Sequence, residues 1–335
     1  MSPILESVPL AQGPWPTPNP FLFCVHHVDG YPRGNAEMGP VGSLAGRDMG
    51  QDFAGKDGWN MYHGRTVPGF PQHPHRGFET VTVVRSGFID HSDSLGASAR
   101  YGQGDVQWLT AGAGVNHSEM FPLLEQERDN PVELFQIWLN LPRATKRATP
   151  HFTMFWAEHL PHVRAPGVDV LVVAGAVTGV TPLAPPPESY ASAQGSDVAI
   201  WTASLDEGAR WTLPPARPGT SRVLYNFGSA KLSLGGTGLQ PAHAAVVDPS
   251  APVEVRAEGR GAGFLVLQGR PIDEPVVQYG PFVMNSREEI AQAFRDYQAT
   301  QFGGWPWKRD DPVHARGAGR FARLPDGSEL RPPSR

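Results

Sequence analysis

Short runs of strand-forming residues, broken by tight turn signals, dominate the pattern of this chain. Glu79–Val84, Asp105–Leu109 and Glu133–Leu141 are rich in Val, Leu, Phe, Ile, Trp and Thr. Between them stand the turn-formers Ser86-Gly87, Ser94-Leu95-Gly96 and Gly102-Gln103-Gly104. Turns at intervals of roughly 8–12 residues mark an antiparallel β domain. A second group follows at Val168–Val177, Val198–Leu205, Arg222–Phe227, Ala244–Val247, Val253–Ala257 and Phe264–Leu267, with Pro185-Pro186-Pro187 in the loop 182–196. Aligning Thr80–Gly87 with Val223–Gly228 sets Pro71–His75 opposite Thr212–Ala216, while Pro142 and Pro271 each close the last strand of a group. The spacing predicts a duplicated β-barrel unit with a boundary near residue 160.

One helix stands apart. Ser286 precedes Glu289 by three residues, the arrangement in which each side chain bonds the other's backbone N–H. Ile290, Phe294 and Tyr297 then form an apolar stripe at helical spacing. Two segments lack such patterns. From Gly30 to Pro71, 14 of 42 residues are Gly or Pro, which predicts irregular loops. From Gly303 to Arg335, ten of 33 residues are Gly or Pro, with seven basic and four acidic side chains, which reads as a solvated tail.

Composition narrows the class. The 335 residues include 38 Gly and 35 Pro, yet 40% are hydrophobic, with 16 Phe, 9 Trp and 7 Tyr, enough for a sizeable core. Cys24 is the single cysteine, which excludes an intrachain disulfide framework and any Cys-based zinc motif. No window reaches the roughly 18 apolar residues of a membrane span, and the start lacks a basic region followed by an apolar one. A cytoplasmic protein with no membrane partner is the expectation. A net charge of −5 without a basic stripe argues against direct nucleic-acid binding.

Seven of the twelve histidines lie between His26 and His117. His73-Pro74-His75 is followed, 42 residues after His75, by His117-Ser118-Glu119. Residues i and i+2 of a strand share a face, so two neighbouring strands bring three imidazoles and one carboxylate round a point. Imidazole and carboxylate suit Fe, Mn, Ni, Co, Cu or Zn. Four protein ligands on a six-coordinate ion leave open positions, as a catalytic site requires.

Phe70-Pro-Gln-His-Pro-His-Arg-Gly-Phe-Glu-Thr80 and Gly104-Asp-Val-Gln-Trp-Leu-Thr-Ala-Gly-Ala-Gly-Val-Asn-His-Ser-Glu119 closely resemble the pirin family of the cupin superfamily. Glu274-Pro-Val-Val-Gln-Tyr-Gly-Pro-Phe-Val-Met-Asn285 resembles that family's C-terminal block. The resemblance implies an all-β bicupin, two antiparallel β-barrels face to face with a C-terminal helix packed across them. In sequence order this divides into a segment 1–20, a metal-bearing barrel 21–160, a second barrel 161–285, the helix 286–302 and the tail 303–335.

The same resemblance assigns His73, His75, His117 and Glu119 as ligands of one divalent transition-metal ion per chain, Fe(II) first and Ni, Co, Mn, Cu or Zn as alternatives. Glu119 also serves as proton acceptor, and Glu79 is a supporting or purely structural hydrogen-bonding group. Pro214, Ala216 and Thr220 occupy the matching places in the second unit, which therefore cannot repeat the site. The segment after His27, longer than in short pirins, forms part of the rim over the metal. Some pirins are quercetin 2,3-dioxygenases, which implies a flavonol-like aromatic substrate and O2; Trp108, Phe78 and Phe121 are candidate rim residues, with the core, where such side chains more often lie, as the alternative for each. A redox-sensing regulatory protein acting through protein partners, or an inert barrel with a structural metal, are the other readings.

Overall fold

Strand pairing closes the predicted runs into two sets that repeat one another, in a computed structural model that describes residues 2–333. The strands up to residue 155 are β1 (Ile4–Pro9), β2 (Phe21–Tyr31), β3 (Gly69–His75), β4 (Phe78–Ser86), β5 (Phe88–Asp93), β6 (Ser98–Gly102), β7 (Val106–Thr110), β8 (Val115–Met120), β9 (Asn130–Asn140) and β10 (His151–Phe155). Then follow β11 (His162–Ala165), β12 (Val168–Ala174), β13 (Ala199–Leu205), β14 (Arg210–Leu213), β15 (Ser221–Asn226), β16 (Leu232–Leu234), β17 (Thr237–Leu239), β18 (His243–Val247), β19 (Val253–Ala257) and β20 (Ala262–Gly269). The C-terminal elements are β21 (Val277–Tyr279), β22 (Phe282–Met284), helix α1 (Arg287–Thr300), β23 (Phe321–Arg323) and β24 (Glu329–Leu330).

The duplication shows in the pairing rather than in the letters. In the first set β3 pairs β8, β4 pairs β7, and β5 pairs β6 and β8. In the second, β14 pairs β19, β15 pairs β18, and β16 pairs β17 and β19. All of these pairs are antiparallel, as the turn spacing requires.

The chain divides into two compact units. One holds the chain up to Val25, Ile137–Asn140 and His159–Asp273; the other holds His26–Gln136, Leu141–Glu158 and everything from Glu274 onward. This division departs from sequence order at both ends. β1 groups with the second barrel because it pairs β18. In that barrel Trp201, Trp211, Leu213, Leu224, Val255 and Phe264 form a dry apolar core where the first barrel carries histidines.

Part of the tail packs on its own unit, where its composition predicted solvation throughout; most side chains from Arg323 to Pro333 are exposed. β23 pairs β6 and extends a six-stranded sheet. Trp307 donates to the Asp93 carbonyl at 2.9 Å, and Arg320 bonds Asp105 at 2.7 Å. Arg320 pairs with both Asp105 and Glu158 of its own unit, which composition alone cannot reveal.

The capping box forms as its spacing predicts. The Ser286 hydroxyl accepts from Glu289 N, and Glu289 accepts from Ser286 N. Helix α1 packs on β22, with Phe282 edge-on to Phe294 at 4.8 Å. Arg76, immediately after the His-Pro-His run, ties this layer to the barrel: it donates to the Ala113 carbonyl and to Asp296, each at 2.6 Å. Gly77 next to it has φ +86, and a Cβ there would stand 1.9 Å from the Val283 carbonyl oxygen. Gly77→Ala should therefore cost at least about 2 kcal/mol, from left-handed backbone plus a backbone clash. Chemical unfolding checks this, and a loss under about 0.5 kcal/mol would refute the close approach.

Candidate metal centre

Register and alternation build the site. β3 lies against β8 with His73 directly opposite His117, and His75 shares the His73 face. Ring centroids are 4.3 Å apart for His73–His117 and 4.8 Å for both His73–His75 and His75–His117. One nitrogen from each ring lies within 4.8 Å of the others. No other group of three potential ligands meets that closeness among the described residues.

The rings are electrically neutral and ready to donate lone pairs. Desolvation pulls His73 down to about 4 and holds His75 and His117 well below the usual histidine range. His73 Nδ1 lies 2.8 Å from the Pro71 carbonyl, to which it donates, so its Nε2 is the free lone pair. His117 is fully buried, and neither of its nitrogens has a hydrogen-bond partner among the described residues. An unpartnered polar group in such a place carries a desolvation cost of roughly 1–3 kcal/mol. A cation bound between the three rings relieves it, and the all-imidazole donor set fits one divalent transition-metal ion.

Glu119 stands beside the cluster. Its Oε2 is 4.0 Å from His117 Nε2 and accepts from Gln136 Nε2 at 2.8 Å, while Oε1 accepts from Thr82 at 3.3 Å. Burial raises its carboxyl above the ordinary range. Next to it lies a pair that the reading of the chain passed over. His91 is opposite Glu119, Asp93 is opposite His117, and His91 Nε2 lies 3.0 Å from Asp93 Oδ2. Both are fully buried. His91-Ser92-Asp93 has the same i, i+2 spacing as His73 and His75, so the signal was present in the chain.

The pirin family model matches residues 39–139, and the model described as the pirin C-terminal cupin domain matches residues 200–303. Pirin-1 of Arabidopsis thaliana is 37% identical over 237 residues, covering 70% of this chain and 78% of that protein. The chain belongs to the pirin family. Pirin of Homo sapiens is 33% identical over 249 residues, 73% of this chain and 81% of its own length. Among solved structures, a quercetin 2,3-dioxygenase from Acinetobacter baumannii superposes with a TM-score of 0.73 at 25% identity, covering 91% of this chain and 99% of that one. The two-barrel cupin architecture of the pirins is thus shared across both units. No helix of this pirin is long and apolar enough to cross a membrane.

Two further expectations meet the geometry differently. Glu79 is opposite Thr110 in the β4–β7 pair and accepts from Thr110 Oγ1 at 2.7 Å and Trp108 Nε1 at 3.2 Å. It lies three residues from Thr82, which reaches Glu119, and so on the opposite face of β4. Its bonds to Thr110 and Trp108 tie β4 to β7 in this pirin. Trp108 shares that face and has no exposed surface; Phe78 is buried beneath His75 at 5.0 Å, and Phe121 is buried against Tyr62 and Phe70. All three take the core place that their bulk and apolarity also allowed, rather than a place on the rim. Next to His73 lies the half-buried Phe70, edge-on at 6.4 Å and stacked on Tyr62 at 5.0 Å.

Proposed function

We propose that this protein is a metal-dependent dioxygenase that opens the heterocycle of flavonols such as quercetin with O2 and releases carbon monoxide. The observation that carries the reading is His117, whose two buried, unpartnered nitrogens lie against His73, His75 and a raised-pKa carboxylate. One divalent ion held by His73, His75 and His117, with Glu119 as the fourth ligand and iron the first choice, supplies a Lewis acid for a phenolic oxygen and a redox partner for O2.

The residues of the chain do the rest. Thr82 has one hydroxyl proton, and its 2.7 Å bond to Gln136 Oε1 is shorter than its 3.3 Å approach to Glu119 Oε1. Glu119 Oε1 is therefore the freer oxygen, placed to take the flavonol 3-hydroxyl proton. Gln136 holds the other oxygen in place through Oε2. Phe70, half-buried and backed by the buried Tyr62 ring stacked on it, offers an aromatic face for a flat ring, and the name of the Acinetobacter relative supports the substrate class.

The test is spectroscopic. Protein loaded with metal in the absence of O2 is given quercetin, then O2; the flavonol absorption is expected to bleach with release of carbon monoxide. A flavonol spectrum unchanged after O2 overturns the reading.

A further inference from the structure

His27 stands one aromatic ring away from the metal cluster. It meets Phe70 edge-on at 5.9 Å, and Phe70 in turn lies 6.4 Å from His73. It is half-buried and meets Tyr62 and Phe121 edge-on, at 4.9 and 6.3 Å. No metal role falls on it, since it is outside the three-histidine group.

Its hydrogen bonds define which nitrogen is free. His27 Nδ1 is 2.8 Å from the Tyr62 hydroxyl, and that hydroxyl is 2.7 Å from Asp29 Oδ2. Tyr62 has one proton, and the carboxylate, an acceptor only, takes it. The Tyr62 oxygen must then accept from His27 Nδ1–H, which leaves the lone pair on Nε2. Asp29 is fixed in turn: its Oδ1 accepts from Asn60 N at 2.8 Å and Asn60 Nδ2 at 3.1 Å. His27 Nε2 has no hydrogen-bond partner among the described residues.

The fold keeps this chain of bonds at evident cost. Tyr62 has φ 56, a left-handed backbone that costs an ordinary residue roughly 1–2 kcal/mol. It is clamped there by reciprocal backbone bonds to Asp52, whose carboxylate is held by the buried Arg47 at 2.9 Å. Arg47 itself lies 3.3 Å over the Trp59 ring. Burial pushes the Asp29 carboxyl up to about 6 and pulls His27 down to about 3, so neither charge is favoured by its surroundings. Strain and buried polarity held together at one point mark functional sites.

We propose that His27 Nε2 accepts a hydrogen bond from a hydroxyl on the outer ring of a flat polyphenol whose other end reaches the three-histidine cluster, with Tyr62 and Asp29 as positioning residues that fix the His27 tautomer. This rests on the flavonol reading and adds to it the basis of selection: hydroxylated outer rings over bare ones. Asn60 and Tyr62 both come from the glycine-rich segment 30–71, so that segment carries the selectivity.

Binding measured under nitrogen separates selectivity from turnover. Dissociation constants are taken by tryptophan fluorescence quenching on the metal-loaded protein, for quercetin and for 3-hydroxyflavone, which lacks outer-ring hydroxyls. His27→Phe keeps the edge-on ring packing and is expected to weaken quercetin about tenfold, the value of one net hydrogen bond, with 3-hydroxyflavone unchanged. Tyr62→Phe, which keeps the stacked ring and loses the relay, should shift quercetin in the same direction by roughly three- to tenfold. Thermal midpoints confirm that both variants fold. Equal loss for both ligands, or no loss for either, overturns the proposal while leaving the dioxygenase reading intact. A parent protein that binds neither flavonol overturns both.

Discussion

His117→Ala protein is expected to come off purification without its metal and to lose flavonol turnover with it. His117 lies opposite His73 across the β3–β8 pair and is the most enclosed of the three rings, with no exposed surface. Removing it leaves His73 and His75, two ligands on one strand, and opens a void where the third donor stood. Changes one layer further out from a metal typically cost 10–100-fold in affinity, so loss of a direct ligand should exceed about 100-fold. Metal content per chain by elemental analysis is the readout, with circular dichroism to show that the barrel persists. Folding should survive, because the variant removes a buried imidazole whose nitrogens satisfy no protein partner. Stoichiometric metal in the alanine variant would show that the three-histidine cluster is not the site.

The second large effect concerns stability. Asp90→Ala should destabilise the unit that carries the site by roughly 3–5 kcal/mol, the usual cost of orphaning a buried charge. Asp90 and Arg100 are both fully buried. Arg100 Nε and Nη2 each donate to the Asp90 carboxylate at 2.7 Å, a forked pairing. The same guanidinium donates to the carbonyls of His314, Ala315 and Arg316 at 2.9, 2.8 and 3.1 Å. Asp90 also accepts from His314 N at 2.7 Å. Without the carboxylate, a guanidinium charge stays out of water with only carbonyls against it, and the tail loses an anchor. The thermal midpoint should fall by roughly 10 °C, and proteolysis within residues 304–333 should speed up. Replacing both partners, Asp90→Leu with Arg100→Met, should recover much of the loss. A midpoint within about 2 °C of the parent for Asp90→Ala would refute the role given to this pair.

How much of this was legible in the chain depended on the range of the interaction concerned. The helix start at Ser286 was, because a capping box closes within four residues. The convergence of His73 and His75 was, because alternation along a strand is a local rule. Their meeting with His117 needed a register between strands more than forty residues apart, and there the family resemblance supplied what spacing left open. Glu79 and Glu119 are both acidic and both follow histidines; the resemblance gave them different roles, and the strand pairing supplies the reason, since Glu79 turns its side chain to the face opposite the cluster. For Trp108, Phe78 and Phe121 residue type allowed rim or core and favoured the core, where burial places all three.

The sequence alone determined an all-β chain in two repeated sets, one capped helix, and a metal-type donor set in the first set and not the second. These follow from periods of two and 3.6 residues and from residue chemistry, which act within a few positions. Tertiary structure decided that His91 and Asp93 lie opposite Glu119 and His117, that the tail pairs with β6 of the first barrel, and that Asn60 and Tyr62 reach Asp29 and His27. Each of those joins groups far apart along the chain: Arg320 meets Asp105 across 215 positions. Such pairings are stabilised by burial and desolvation, which arise only once the strands have closed round a common interior.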